Sequence, residues 1–149
     1  MSDYHQPDYS EYMDESGKLT TAGEMTIQQG LAVLGESAWR NAEVHGFHES
    51  KRQYPEEIAL FHSEISESFE AYRNTEPPLW FRTKSGDVSD LLFGEDNVPN
   101  KAEGMVAELA DAIIRFADVA RDRRWPLGKA VVNKHLYNLS RPFMHGKRL

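Results

Sequence analysis

The chain has 149 residues, 40% of them hydrophobic and 28% charged, which is the composition of one globular domain, and no run approaches the roughly 18 uncharged apolar residues of a membrane span. It contains no cysteine, so disulfide scaffolds, thiol catalysis and Cys-ligated metals are excluded and any metal must sit on oxygen or histidine. The net charge of −7 is unevenly spread: residues 1–24 carry −5, residues 121–149 carry +7, and the middle therefore carries −9. Acids beside bases suit a polyanion held through metal cations; the plainer reading is a solvated basic tail.

Residues 1–25 are polar and acidic, show no apolar period, and are expected to form a mobile arm. From Thr26, the spacing of Ile27, Leu31, Leu34, Ala38 and Ala42, stopped at Gly46, predicts a first helix. Pro55 with Glu56 and Glu57 opens a second, because proline needs no donor in the first turn and acids suit the positive end of the dipole. Its apolar face is Ile58, Phe61, Ile65, Phe69 and Tyr72, and it should end near Asn74.

Residues 75–102 have no sustained period and read as a loop insertion, a lid or a subunit contact, with Trp80, Phe81, Leu91, Leu92 and Phe93 in it. Asn100 and Glu103 resemble a capping box for a third helix whose apolar face is Val106, Leu109, Ile113, Phe116 and Ala120. Pro126 opens a fourth, with Val131, Val132, His135, Leu136 and Leu139 inward, ended at Arg141 and Pro142. Four helices and almost no strand pattern predict an all-α, four-helix-bundle-like fold over residues 26–149.

The second helix carries Glu64 and Glu67, and the third carries Glu108 and Asp111, each pair spaced so that both carboxylates leave one face. Packed together, the two helices would place four carboxylates in one pocket suited to Mg²⁺ or Mn²⁺, hard cations that also accept phosphate oxygens. Because the same spacing recurs among the other acids of this chain, a solvated acidic face stands beside the metal site as an alternative. A di-iron site would need Glu-x-x-His, and no histidine follows an acid by three residues. The H-E-x-x-H, P-loop, G-x-G-x-x-G and G-x-S-x-G patterns are absent as well.

The segments FHSEISESFEAYRN (61–74), KAEGMVAELADAIIRFADVA (101–120) and NKHLYNLSRPFMHGKRL (133–149), in that order, resemble the MazG-like nucleoside triphosphate pyrophosphohydrolases, over about residues 27–149. The resemblance implies that Glu64, Glu67, Glu108 and Asp111 hold Mg²⁺ at a triphosphate, with Glu64 or Glu67 accepting a proton. It also implies that Lys134, Tyr137, Asn138 and Arg141 meet the nucleotide, and that Trp39, Asn41 and His45 approach the base or sugar. Two departures stand out: Ser63 occupies the place of an extra Glu, and the insertion separates Glu67 from Glu108 by 41 positions.

On this resemblance the chain is expected to be a cytoplasmic enzyme of a bacterium, or of a phage acting in its host. It would cleave a (d)NTP to the monophosphate and pyrophosphate as a homo-oligomer, dimer or tetramer, with neither membrane nor nucleic acid as partner. Two other readings remain: a helical adaptor docking through its basic end, and a family member that binds nucleotide without hydrolysing it.

Overall fold

Thr20, in extended conformation, accepts a hydrogen bond from the Gly23 N–H at 3.2 Å and starts helix α1 (Thr21–Val44) ahead of the apolar period. The computed structural model describes residues 8–94 and 97–142, so residues 1–7 of the expected arm lie outside the described residues, as do Lys147 and Arg148. Residues 21–25 of the expected arm are helical, and the stretch before them folds back on itself. Met13 bridges Leu19, the Thr20 hydroxyl donates to the Glu11 carbonyl at 2.7 Å, and the Gly17 carbonyl lies 3.1 Å from His135 Nε2.

Gly46, at φ 76°, follows α1 as expected of a helix stop. Helix α2 (Tyr54–Arg73) has proline in its first turn, and the Gln53 N–H donates to Glu56 Oε2 at 2.8 Å. Helices α3 (Met105–Asp122) and α4 (Leu127–Leu139) complete the helical set among the described residues.

The insertion corrects the expectation of an irregular loop. It holds an antiparallel sheet in the order β2–β1–β3, made of β1 (Trp80–Arg82), β2 (Val88–Ser89) and β3 (Lys101–Glu103). The strands are only two or three residues long, too short to show alternation in the sequence. The capping-box reading of Asn100 and Glu103 fails for the same reason. Glu103 ends β3, where its carboxylate takes Arg82 Nε at 2.9 Å and Lys101 Nζ at 3.1 Å, and Asn100 is buried with its amide on the Leu91 carbonyl. Gly104 precedes α3 instead, at φ 96°, and a Cβ there would stand 2.5 Å from the Pro77 carbonyl oxygen.

Helix α3 is central, packing on both α1 and α2, while α4 packs on α1. Helices α2 and α3 run antiparallel, as three contacts along them show. Glu57 pairs with Arg123 at 2.8 Å, Phe61 lies against Phe116 with ring centroids 4.0 Å apart, and the Ser68 hydroxyl donates to the Met105 carbonyl at 3.1 Å. The α1–α3 contact uses small residues, and a Cβ on Gly35 would meet the Ala117 carbonyl oxygen at 3.1 Å.

The chain is therefore mostly helical with a small sheet, and its helices lie side by side rather than closing a bundle within one chain. What is buried is small: Ala38, Ala71, Ala107, Ala112, Ala117 and Ala120, with Phe61 and Val132. The faces expected inward are largely outward. Ile65, Phe69 and Tyr72 on α2, Val106, Leu109, Ile113 and Phe116 on α3, and Val131, Leu136 and Leu139 on α4 are all exposed, Phe69 by 61% and Ile113 by 54%. The physical reason is that each helix spends its small-residue stripe on its neighbour in the row, which leaves the large apolar stripe unpaired. No helix among the described residues is long and apolar enough to cross a membrane.

Candidate functional site

The antiparallel α2–α3 contact brings three of the four predicted carboxylates together. Glu64, Glu67 and Glu108 each offer an oxygen within 4.8 Å of the others, although Glu67 and Glu108 are 41 positions apart. Glu64 lies on the inner side of α2 with Phe61, Ser68 and Ala71 and is only 6% exposed, whereas Glu67 is at the surface and Glu108 is half-buried. Asp111 is exposed and lies outside this trio, one turn further along α3. Its charge still reaches the site. Burial, then the neighbouring Glu67, Asp111 and Glu64 charges, push the Glu108 carboxyl above its ordinary 4.5.

Two residues outside the expected set touch the trio. Arg115 Nε lies 2.6 Å from Glu64 Oε1, a charge-assisted contact between α3 and the buried carboxylate of α2. The Ser63 hydroxyl donates to Glu67 Oε1 at 2.9 Å, so the residue that stands where an additional Glu was looked for orients a carboxylate instead of adding one. Arg115 was legible in principle: it follows Glu108 by seven residues, two helical turns, and so shares its side of α3. Nothing in the local spacing marks the Ser63 contact as functional.

Three carboxylates on two helices, one buried, one half-buried and one exposed, supply only hard oxygen donors, a set that fits Mg²⁺ or Mn²⁺ and offers no soft ligand. Clustered like charges are mutually destabilising, and the single contact with Arg115 offsets one of them. A divalent cation would offset the remainder.

The other expected site residues lie elsewhere. Lys134, Tyr137, Asn138 and Arg141 are exposed on or just beyond α4, with Lys134 Nζ 5.4 Å from the Tyr137 ring centroid. Because α4 packs on α1 rather than on the α2–α3 pair, this strip makes no contact with the carboxylates among the described residues. Trp39 is an internal contact. Its indole N–H donates to Asp122 Oδ1 at 3.3 Å, Arg121 lies over its ring at 5.1 Å, and its ring centroid is 5.6 Å from that of His48.

Asn41 and His45 belong to the end of α1, where His45 Nδ1 meets the Asn41 carbonyl at 2.8 Å. That end lies by the last turn of α3, where Trp39 meets Asp122, and Glu108 is 14 residues back from Asp122, about 20 Å along the helix. Trp39, Asn41 and His45 therefore lie toward the far end of α3 from the carboxylates of the same chain.

A second polar cluster occupies that end. His48 Nε2 lies 3.0 Å from Asp118 Oδ1, and burial pushes the Asp118 carboxyl up while His48 draws it back down. The cleft beside it, about 440 Å³, is lined by Lys51, Arg52, Tyr54, Arg115 and Arg123 among others. Several of its charged groups are engaged with each other, as in Arg123 with Glu57 and His48 with Asp118. Compared with family models, with curated proteins and with solved structures, the chain gives no match.

Proposed function

We propose that this chain is a divalent-metal-dependent nucleoside triphosphate pyrophosphohydrolase, converting a (d)NTP to the (d)NMP and pyrophosphate. What carries the reading is the convergence of Glu64, Glu67 and Glu108 from two antiparallel helices, the arrangement that the MazG-like spacing requires and that a solvated acidic face does not. Asp111 is the fourth acid of the set, and its charge already acts on Glu108. A bound Mg²⁺ would neutralise charge developing on phosphate oxygens and lower the pKa of a water. Glu64 and Glu108 would hold such an ion from the two helices. Glu67, exposed and aligned by Ser63, is the carboxylate placed to take a proton from water.

The reading includes a second copy of the chain. The surface is 12,021 Å², whereas a compact monomer of 17.0 kDa exposes about 7,700 Å². An obligate interface buries roughly 1,000–2,500 Å² on each copy, so the excess on one chain is more than enough to supply one. The α2–α3 face bearing Ile65, Phe69, Leu109 and Ile113 is the apolar surface a partner copy would cover, completing a four-helix arrangement. The Lys134–Arg141 strip, remote from the carboxylates of its own chain, would then meet the triphosphate from the partner copy.

The test is product analysis with each common NTP and dNTP in Mg²⁺. Monophosphate with pyrophosphate is expected. Diphosphate with orthophosphate, or no turnover of any nucleotide, would remove the assignment.

A further inference from the structure

Arg115 stands at the edge of the carboxylate trio and has no role in the reading above. It is the cation in contact with the cluster among the described residues, with Nε 2.6 Å from Glu64 Oε1, and it comes from the opposite helix. Glu64 is buried, with its side chain 8% exposed, while the arginine side chain is 42% exposed and reaches the cleft beside His48. The buried carboxylate is therefore fixed and one of its two oxygens is taken by a guanidinium. The guanidinium charge at Oε1 opposes a cation on that oxygen, so a cation shared with Glu67 and Glu108 would meet Glu64 through the other one.

We propose that Arg115 is a positioning residue that restricts Glu64 to single-oxygen ligation and thereby sets the preference of the site for Mg²⁺ over Ca²⁺. The inference rests on the metal-site reading of the trio. Ca²⁺ takes about 6–8 oxygens at roughly 2.3–2.6 Å and can use a carboxylate through both oxygens as well as through one, whereas Mg²⁺ demands a compact octahedron and takes carboxylates through one. Blocking Oε1 removes an option that only the larger ion uses. The guanidinium charge itself does not discriminate, because it repels two divalent ions alike and cancels in the ratio of their affinities. Ser63 acts in the same direction on the neighbouring acid, its hydroxyl occupying Glu67 Oε1.

The experiment is calorimetric titration of the intact, nucleotide-free protein with Mg²⁺ and with Ca²⁺, the share of binding due to the trio being that lost in Glu64→Gln. Melting temperature is followed alongside. Arg115→Met frees both Glu64 oxygens, and the Ca²⁺-to-Mg²⁺ affinity ratio is expected to rise at least about fivefold. Arg115→Lys keeps a single donor on Oε1 and is expected to hold the ratio near that of the wild type.

Should Arg115→Met fail to fold, Arg115→Leu, shorter and likewise without a donor, carries the same expectation as Met. A lower melting temperature with both affinities changed in proportion, or with neither changed, would make Arg115 a plain interhelical ion pair and overturn the inference. If the wild-type trio binds neither ion, the metal reading fails and this inference falls with it, so the two failures are told apart by the wild-type titration.

Discussion

At the scale of single residues, the carboxylates do unequal work because their surroundings differ. Glu64 is buried and held by Arg115, Glu67 is exposed and held by Ser63, and Glu108 is half-buried among like charges. Glu64→Gln, Glu67→Gln, Glu108→Gln and Asp111→Asn are each expected to lower kcat/KM by about 100-fold or more in steady-state assays, with circular dichroism unchanged, since the charge stabilisation of the phosphates passes through them. Full turnover in one of them would remove that residue from the site. Glu108 also predicts a pH effect. Its carboxyl is raised by burial and by Glu67, Asp111 and Glu64, so the folded, metal-free chain favours its protonated form. The stabilisation from that proton is fully present below the ordinary 4.5 and is lost as pH rises through the raised value. Glu108→Gln should accordingly raise the melting temperature of the metal-free protein at pH 7 and flatten its rise on acidification, while Mg²⁺, if it binds the folded state as proposed, should raise the melting temperature of the wild type and that of the variant far less. A variant that melts below the wild type without metal would contradict this account of Glu108.

At the scale of elements, Gly104 shows how tightly the sheet is joined to α3. Its φ of 96° and the 2.5 Å approach to the Pro77 carbonyl leave no room for a side chain, and Gly104→Ala is expected to cost about 2 kcal/mol or more in denaturant unfolding. A loss under about 0.5 kcal/mol would mean that the 77–104 approach relaxes freely. The same region shows what the sequence makes legible. Helices α2 and α4 are readable because a proline start and an apolar period agree, with acids in the first turn of α2 as well, and the bounds of α2 fall within a residue of those expected. The placing of Glu64 and Glu67 on one side of α2 is readable because spacing on a helix is a local property, whereas their meeting with Glu108 is not a local property and follows from the α2–α3 packing. The sheet is not, because strands of two or three residues carry no period and Asn100 with Glu103 mimics a cap. Nor is the burial: Ile113 and Phe69 look like core by period, but the row of helices is joined through Gly35, Ala117 and other small residues, and which stripe a helix spends on which neighbour depends on residues far away in the chain. Arg115 and Ser63 are missed for a related reason, since each gains its meaning from the orientation of a carboxylate rather than from a motif.

At the scale of the whole molecule, the second copy proposed above would account together for the unpaired α2–α3 face and the remote α4 strip. Light scattering is expected to give at least a dimer for the wild type, and Ile113→Glu with Phe69→Glu is expected to give a monomer of lower melting temperature, because two charges would sit where large apolar side chains are to be covered. A monomeric wild type would leave those faces without an occupant. The sharing of the site can be read by mixing: Glu64→Gln chains and Lys134→Ala, Arg141→Ala chains, each inactive alone, should recover turnover when refolded together, and no recovery would place both sets of residues within one chain. The most direct test of the central claim is pyrophosphate release from a (d)NTP as Mg²⁺ is titrated into the wild type, Glu64→Gln and Glu108→Gln. Saturable, Mg²⁺-dependent release by the wild type that falls about 100-fold in both variants is the predicted result, and equal release by all three proteins, or release that persists without a divalent cation, would contradict it.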